Sequence, residues 1–231
     1  VISLDRRLFM KFSAFTHVGD LDKATAALEA TGLAAALYAD INDPYGIGIM
    51  VASEDPADFV TTLRKVFNAE PFDDFDYKPE FDMFGRSYSI GYEPDLEFTL
   101  LDRPRQNLTD PRNQWAVWYP LRRSGRFERE PRDEQRRMLM EHGGIGRAFG
   151  RAGLARDVRL ACHGLDPNDN DFIAGLVGKE LHPLSAVVQR MRSTRQTAEF
   201  IEKLGPFFVG RAVWQSAGPY AWALQHEGTG H

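Results

Sequence analysis

Apolar and polar positions alternate in short runs along this chain, and each run is followed by a stretch with helical spacing. Leu8 to Phe15 (LFMKFSAF) reads as a strand. A helix follows, with Asp20 as its N-cap and Gly32 as its stop. Leu33 to Asp40 and Tyr45 to Ala52 read as two strands joined by the turn-rich INDP. Asp55-Pro56 opens a second helix that carries Phe59, Leu63 and Val66 on one face. Phe84 to Tyr92 closes the set as a fourth strand.

The same order recurs downstream. Trp115 to Pro120 is a strand, PRDEQRRMLMEHGGIGRAF is a helix, and Asp157 to His163 and Asp171 to Val177 are strands joined by GLDPNDN. A long helix is expected from near Pro183 to Gly205-Pro206, and Phe207 to Trp214 is the last strand. Strand, helix, strand, strand, helix, strand, twice over, predicts an α+β fold of two tandem ferredoxin-like βαββαβ units with antiparallel sheets. The first unit is placed at 1–100, the second at 112–215, and 216–231 is left as a tail. The join between them, EPDLEFTLLDRPRQNLTDPRN, is polar and holds three prolines.

Composition narrows the picture. At 231 residues, 43% hydrophobic and 26% charged, the chain has the make-up of a globular protein with a real core. Sixteen Phe and four Trp suggest aromatic-lined interior surface. A net charge of −5 argues against a nucleic-acid partner. A single cysteine, Cys162, excludes an intrachain disulfide and a cysteine-based metal site. No apolar run reaches membrane-spanning length, and VISLDRRLF lacks a signal-peptide pattern, so a cytoplasmic protein is expected.

Candidate chemistry concentrates in the second unit. His142 falls on the apolar stripe of Met138, Ile145 and Phe149 and is followed by Gly143, Gly144 and Gly146. An imidazole there is either a core histidine bonded to a carbonyl or a ligand. The glycines either admit a flat body close to the backbone or form a loop with positive φ. A dinucleotide loop is rejected because the glycines follow a helix rather than a strand. A zinc site is poorly supported because no second His or Cys stands at ligand spacing on that helix. In DVRLACH, alternation puts Arg159, Ala161 and His163 on one face, open to solvent or aimed at an anion. Tyr119 shares a face with Trp115 and Val117 and is most simply a core aromatic. Arg105, Arg122, Arg123 and Arg192 are surface charges unless they converge on carboxylates, which suit the guanidinium fork.

Four strings together resemble the chlorite dismutase family, haem proteins that include the coproheme decarboxylases. They are LGPFFVG (Leu204 to Gly210), RLACHGLDPNDNDF (Arg159 to Phe172), MEHGGIGRAFG (Met140 to Gly150) and WYPLRR (Trp118 to Arg123). The resemblance implies a haem pocket on one sheet, with His142 as axial ligand of the iron. It also implies an acidic residue behind the imidazole, for which Glu199 is one candidate. Arg159 corresponds to the distal arginine of the dismutases and Tyr119 to the radical-relay tyrosine of the decarboxylases. Arg105, fourteen residues before Tyr119, matches a propionate-binding arginine, and Arg192 and Thr197 fall near two further propionate contacts. The seventeen residues from His142 to Arg159 exceed the family's usual spacing, so the strand register decides whether Arg159 faces the haem.

The function so implied is a haem-dependent oxidoreductase that reacts ferric haem with chlorite or peroxide. One alternative is a peroxide-dependent coproheme decarboxylase, and another is a haem-binding protein without turnover. The cofactor is haem b or coproheme, with iron. The partners are a small-molecule oxidant, a porphyrin and further copies of the chain in a ring-shaped homo-oligomer, a pentamer at this length.

Overall fold

The computed structural model describes residues 5–91 and 93–218. The first half contains β1 (Phe9–Thr16), α1 (Leu21–Glu29), β2 (Ala34–Asp40), β3 (Ile47–Ser53), α2 (Ala57–Val60), α3 (Thr62–Phe67), β4 (Asp76–Tyr77) and β5 (Met83–Ser87). The second contains β6 (Trp115–Arg123), α5 (Arg126–Arg129), α6 (Arg132–Arg151), β7 (Arg156–Ala161), β8 (Phe172–Gly178), α7 (Leu181–Arg192), α8 (Arg195–Phe200), β9 (Ile201–Leu204) and β10 (Phe208–Gln215). Between them, part of the join folds as α4 (Arg103–Thr109), entered through a wide π-helical turn at Phe98–Asp102.

The Asp20 carboxylate accepts from the Lys23 N–H at 3.0 Å and caps α1 as expected. Three readings need correction. The helix expected after Asp55-Pro56 is interrupted at Thr61 into α2 and α3. The long helix expected from Pro183 ends at Arg192; Thr194 caps the separate α8, and β9 follows it. The fourth strand stops at Ser87, and its expected end, Tyr92, lies outside the described residues, as does 219–231 of the tail.

Each half has the ferredoxin-like strand order, β2-β3-β1-β5 and β7-β8-β6-β10, all antiparallel. The halves do not stand apart. β5 pairs with β7, and β10 pairs with both β6 and β2, so the eight strands close on themselves as a barrel. Its inner face is packed solid. Phe12, Trp118 and Phe208 are fully buried there, with Phe12 and Phe208 centroids 4.8 Å apart. Gly175 lies so close under the Trp118 ring that an added Cβ would overlap a ring carbon. Each such aromatic contributes on the order of 1.5–3 kcal/mol of burial. The barrel interior therefore holds core, and any ligand site lies on an outer face.

Helices cover both outer faces. In the first half α1, α2 and α3 bury Leu28, Phe59 and Leu63 against the sheet. In the second half α6 and α7 lay Phe149, Leu184, Val187 and Met191 over Val117, Tyr119 and Leu176.

Candidate haem site

Three strands build the floor of this second outer face. Arg159 of β7 pairs with Ala174 of β8, and Ala174 pairs with Tyr119 of β6. Directly opposed residues point to the same side, so Arg159, Ala174 and Tyr119 form one cross-strand row with a small side chain at its centre. The neighbouring row is Asp157, Leu176 and Val117. Two strand spacings separate Arg159 from Tyr119, roughly 9–10 Å along the row.

The long spacing from His142 to Arg159 does not turn Arg159 away. The extra residues extend α6 through its glycines to Arg151 and into its cap. Gly153, at φ 68°, takes the left-handed position, and the Leu154 N–H reaches back to the Phe149 carbonyl at 3.0 Å, a Schellman closure. Gly143, Gly144 and Gly146 are helical, which removes the reading of a positive-φ loop. A Cβ at Gly146 would meet the Met191 methyl at 3.6 Å, so this glycine, one turn beyond His142, lies on the face turned to α7.

His142 is half-buried on the same helix. Its Nδ1 lies 3.3 Å from the Thr194 hydroxyl. That hydroxyl donates to the Met191 carbonyl at 2.7 Å, so towards the ring it accepts. Nδ1 therefore carries the proton and Nε2 keeps its lone pair, the tautomer a metal ligand requires. Burial, then the charge of Arg159, push the imidazole pKa below its usual value, against a smaller opposing effect of Glu141. Both causes favour the neutral ring.

Arg159 Nε stands 2.9 Å from the Asp157 carboxylate, yet it is buried without a hydrogen bond. The contact is close in distance but out of line for a bond. Burial disfavours the guanidinium charge, but Asp157, Tyr88 and Glu93 outweigh it and hold the pKa above its ordinary value. Tyr119 is buried, its ring stacked on Phe207 at 4.5 Å between centroids. Its phenol is pushed up to about 12 by burial, with the charge of Arg192 opposing. Arg192 is exposed at the end of α7, and Thr197 donates its N–H to the Thr194 hydroxyl at 3.5 Å.

His142, Arg159, Tyr119, Arg192 and Thr197 thus gather around one face. Arg105 is not among them. It sits on α4 and pairs with Glu54 of the first half at 3.2 Å. Glu199 does not back the imidazole; it pairs with Arg195 at 3.0 Å, and Thr194 holds that position. Arg122 donates to the carbonyls of Asn168 and Asp169, and Arg123 pairs with Glu128 and lies over the Phe127 ring.

Tyr88 is the residue that sequence reasoning did not single out. It follows β5, whose pairing runs Arg86 to Ala161 and Ser87 to Leu160 and ends there, and it is near enough to Arg159 for the two to act on each other's charge. The first half of the chain thereby supplies an aromatic to the edge of the row. Burial, with Asp157 and Glu93, raises its pKa against the charges of Arg159 and Arg123. The alternation in FGRSYSIGY gives the face of Tyr88, but its neighbour is set by a pairing more than seventy residues away. Thr194 did have a signal, a threonine three residues before Thr197 in the pattern of a helix cap.

The residues present fit a haem. A porphyrin supplies four nitrogens and asks the protein for one imidazole, and His142 offers a neutral one with Nε2 free. Among the described residues no group of three or more His, Cys, Asp or Glu could hold a bare metal ion. Arg159, whose side chain is 37% exposed although its Nε is buried, offers the outer N–H groups of its guanidinium from the sheet side.

Comparison with known proteins agrees with this architecture. Many solved structures align over nearly the whole chain, among them two of note. A haem-binding protein from Thermus thermophilus is 16% identical, with a TM-score of 0.70 over 90% of this chain and 92% of that one. The chlorite dismutase of Candidatus Nitrospira defluvii, in complex with imidazole, is 13% identical, with a TM-score of 0.65 over 96% of this chain and 95% of that one. At such identities the likeness shows the fold. No curated protein matches the sequence significantly. The family model described as chlorite dismutase matches residues 87–213, more than half of the chain and all of the face described above. The chain belongs to the chlorite dismutase family.

Proposed function

We propose that this chain is a haem-dependent oxidoreductase. The observation that carries the reading is the convergence of a neutral His142, Arg159 and Tyr119 on one face of the second half. Haem, when bound, supplies the iron at which an oxygen-donating oxidant, chlorite or peroxide, is reduced. His142 holds the iron through Nε2, with Thr194 fixing the ring. Arg159 would offer its guanidinium to the oxidant and would stabilise negative charge on its oxygen. Arg192 and Thr197, at the rim of this face, would receive porphyrin carboxylates, and α6 and α7 would keep water from its buried part.

The test is a Soret titration with haem b and, separately, coproheme, on wild type and His142→Ala. Saturation near one equivalent that weakens at least tenfold in the variant is expected; equal spectra and affinity in the two proteins would remove His142 as the ligand.

A second reading, peroxide-dependent decarboxylation of coproheme, is supported by the place of Tyr119 in the same row as Arg159. Its phenol is buried and protonated, and can yield a hydrogen atom rather than a free proton. In Tyr119→Phe, coproheme binding should persist and propionate loss should stop, as read by mass spectrometry. Full conversion in that variant would end this reading, and tight porphyrin binding with no turnover in wild type would leave a haem-binding protein. The assembly that accompanies either reading is a homopentamer, which light scattering checks directly.

A further inference from the structure

We propose that Asp157 sets the class of oxidant this site accepts: paired with Arg159 along one strand, its carboxylate cancels the guanidinium charge and turns the site from anions such as chlorite towards neutral peroxide. The inference rests on the haem reading for its consequence, but the pairing itself does not.

Asp157 and Arg159 are two residues apart on β7, so both project from the outer face. Their neighbours across the ladder, Leu176 and Ala174, carry no charge to compete for either group. The Nε to Oδ2 distance is 2.9 Å. The strand is held in place behind the pair, where the Asn107 side-chain amide donates to the Asp157 carbonyl at 2.9 Å. Two further groups bear on Arg159 from the end of the first half. Glu93 is fixed by accepting from Ser89 at 2.7 Å and from the Ile90 and Gly91 amides, and Tyr88, just beyond the end of the β5–β7 ladder, is near enough to act on the charge of Arg159. Both favour the guanidinium charge, as Asp157 does.

The compensation is of charge and not of hydrogen bonding. Nε has no bonded partner, because Asp157 approaches it out of line. The buried Nε is out of a ligand's reach, but the side chain is 37% exposed, so the outer N–H groups of the guanidinium can still donate to a neutral oxygen, whereas an arriving anion meets the Asp157 carboxylate alongside the guanidinium. A lone arginine would attract the anion; this pair presents no net charge.

The experiment uses sodium azide as the anionic probe and imidazole as the neutral one. In the porphyrin-free full chain, the Arg159 Nε–H resonance is followed through an azide titration at constant ionic strength, its assignment given by its loss in Arg159→Gln. In the haem-loaded chain, azide and imidazole affinities are read from the Soret band. Asp157→Asn should tighten azide about tenfold in both, the effect of one unit charge at close range, and leave imidazole unchanged. Asp157→Glu should keep wild-type affinity, and the double change Asp157→Asn with Arg159→Gln should lose the gain. Unchanged azide affinity in a folded Asp157→Asn chain overturns the proposal, as does a gain that survives loss of Arg159. A chain that takes up no haem, yet shows the gain in the porphyrin-free titration, overturns the haem reading and leaves the role of Asp157 in anion discrimination standing.

Discussion

His142 carries a proton less readily in the folded chain than in the unfolded one, because folding buries it and brings Arg159 near. As pH falls, the unfolded state takes up the proton first. The stability attached to this residue is intact above the unfolded value of about 6.5 and is lost as pH falls below it. Iron competes with the same proton, so haem loading should hold through neutrality and fail only on the acid side. Arg159→Gln removes one of the two causes, and the acid limb of a Soret-monitored loading curve should move to higher pH. A limb that stays in place would show that Arg159 does not act on the imidazole. Much at this scale was legible. Strand alternation gave the face of Arg159, and the apolar stripe gave the inward turn of His142. Tyr88 and the misplaced Arg105 were not legible, since each depends on which distant strand or helix lies alongside.

Helix α6 contains a conflict that its neighbours resolve. Three glycines within four positions each cost roughly 1 kcal/mol against alanine, although the apolar spacing carries the helix through them. The helix continues because Phe149 packs against the sheet side and because Gly146 faces α7 closely. Gly146→Ala places a Cβ at ordinary contact distance from a flexible methionine end. The porphyrin-free chain should therefore gain about 0.5–1 kcal/mol in denaturant unfolding. The same methyl narrows the face one turn from His142, and haem affinity should fall. A variant that is more stable and binds haem as before would show that the glycine serves no flat ligand. The break between α7 and α8 teaches a related lesson. Thr194 interrupts a region with continuous helical spacing, and the interruption is what brings a hydroxyl to the imidazole.

At the scale of the molecule, twofold repetition was readable from the order of elements, whereas closure of the barrel was not. Nothing local in β2 or β10 states that they pair, and the two belong to opposite ends of the chain. Closure makes the inner core common to both halves, so a defect in one strand is felt in all. Gly175→Ala would drive a methyl into the fully buried Trp118 ring. Such overpacking costs on the order of 1–3 kcal/mol, and thermal unfolding should stay a single, earlier transition. Two separate transitions would show that the halves melt independently.

The pairing of β2 with β10 also has a temporal side. A chain leaving the ribosome exposes β2 and the apolar inner face of the first half long before Gly210 to Gln215 are made. Until then the edge of β2 is unprotected and the first sheet has no lid. Of the barrel strands, the one that shuts the barrel is made after all the others, so the shared core cannot be buried before it has emerged.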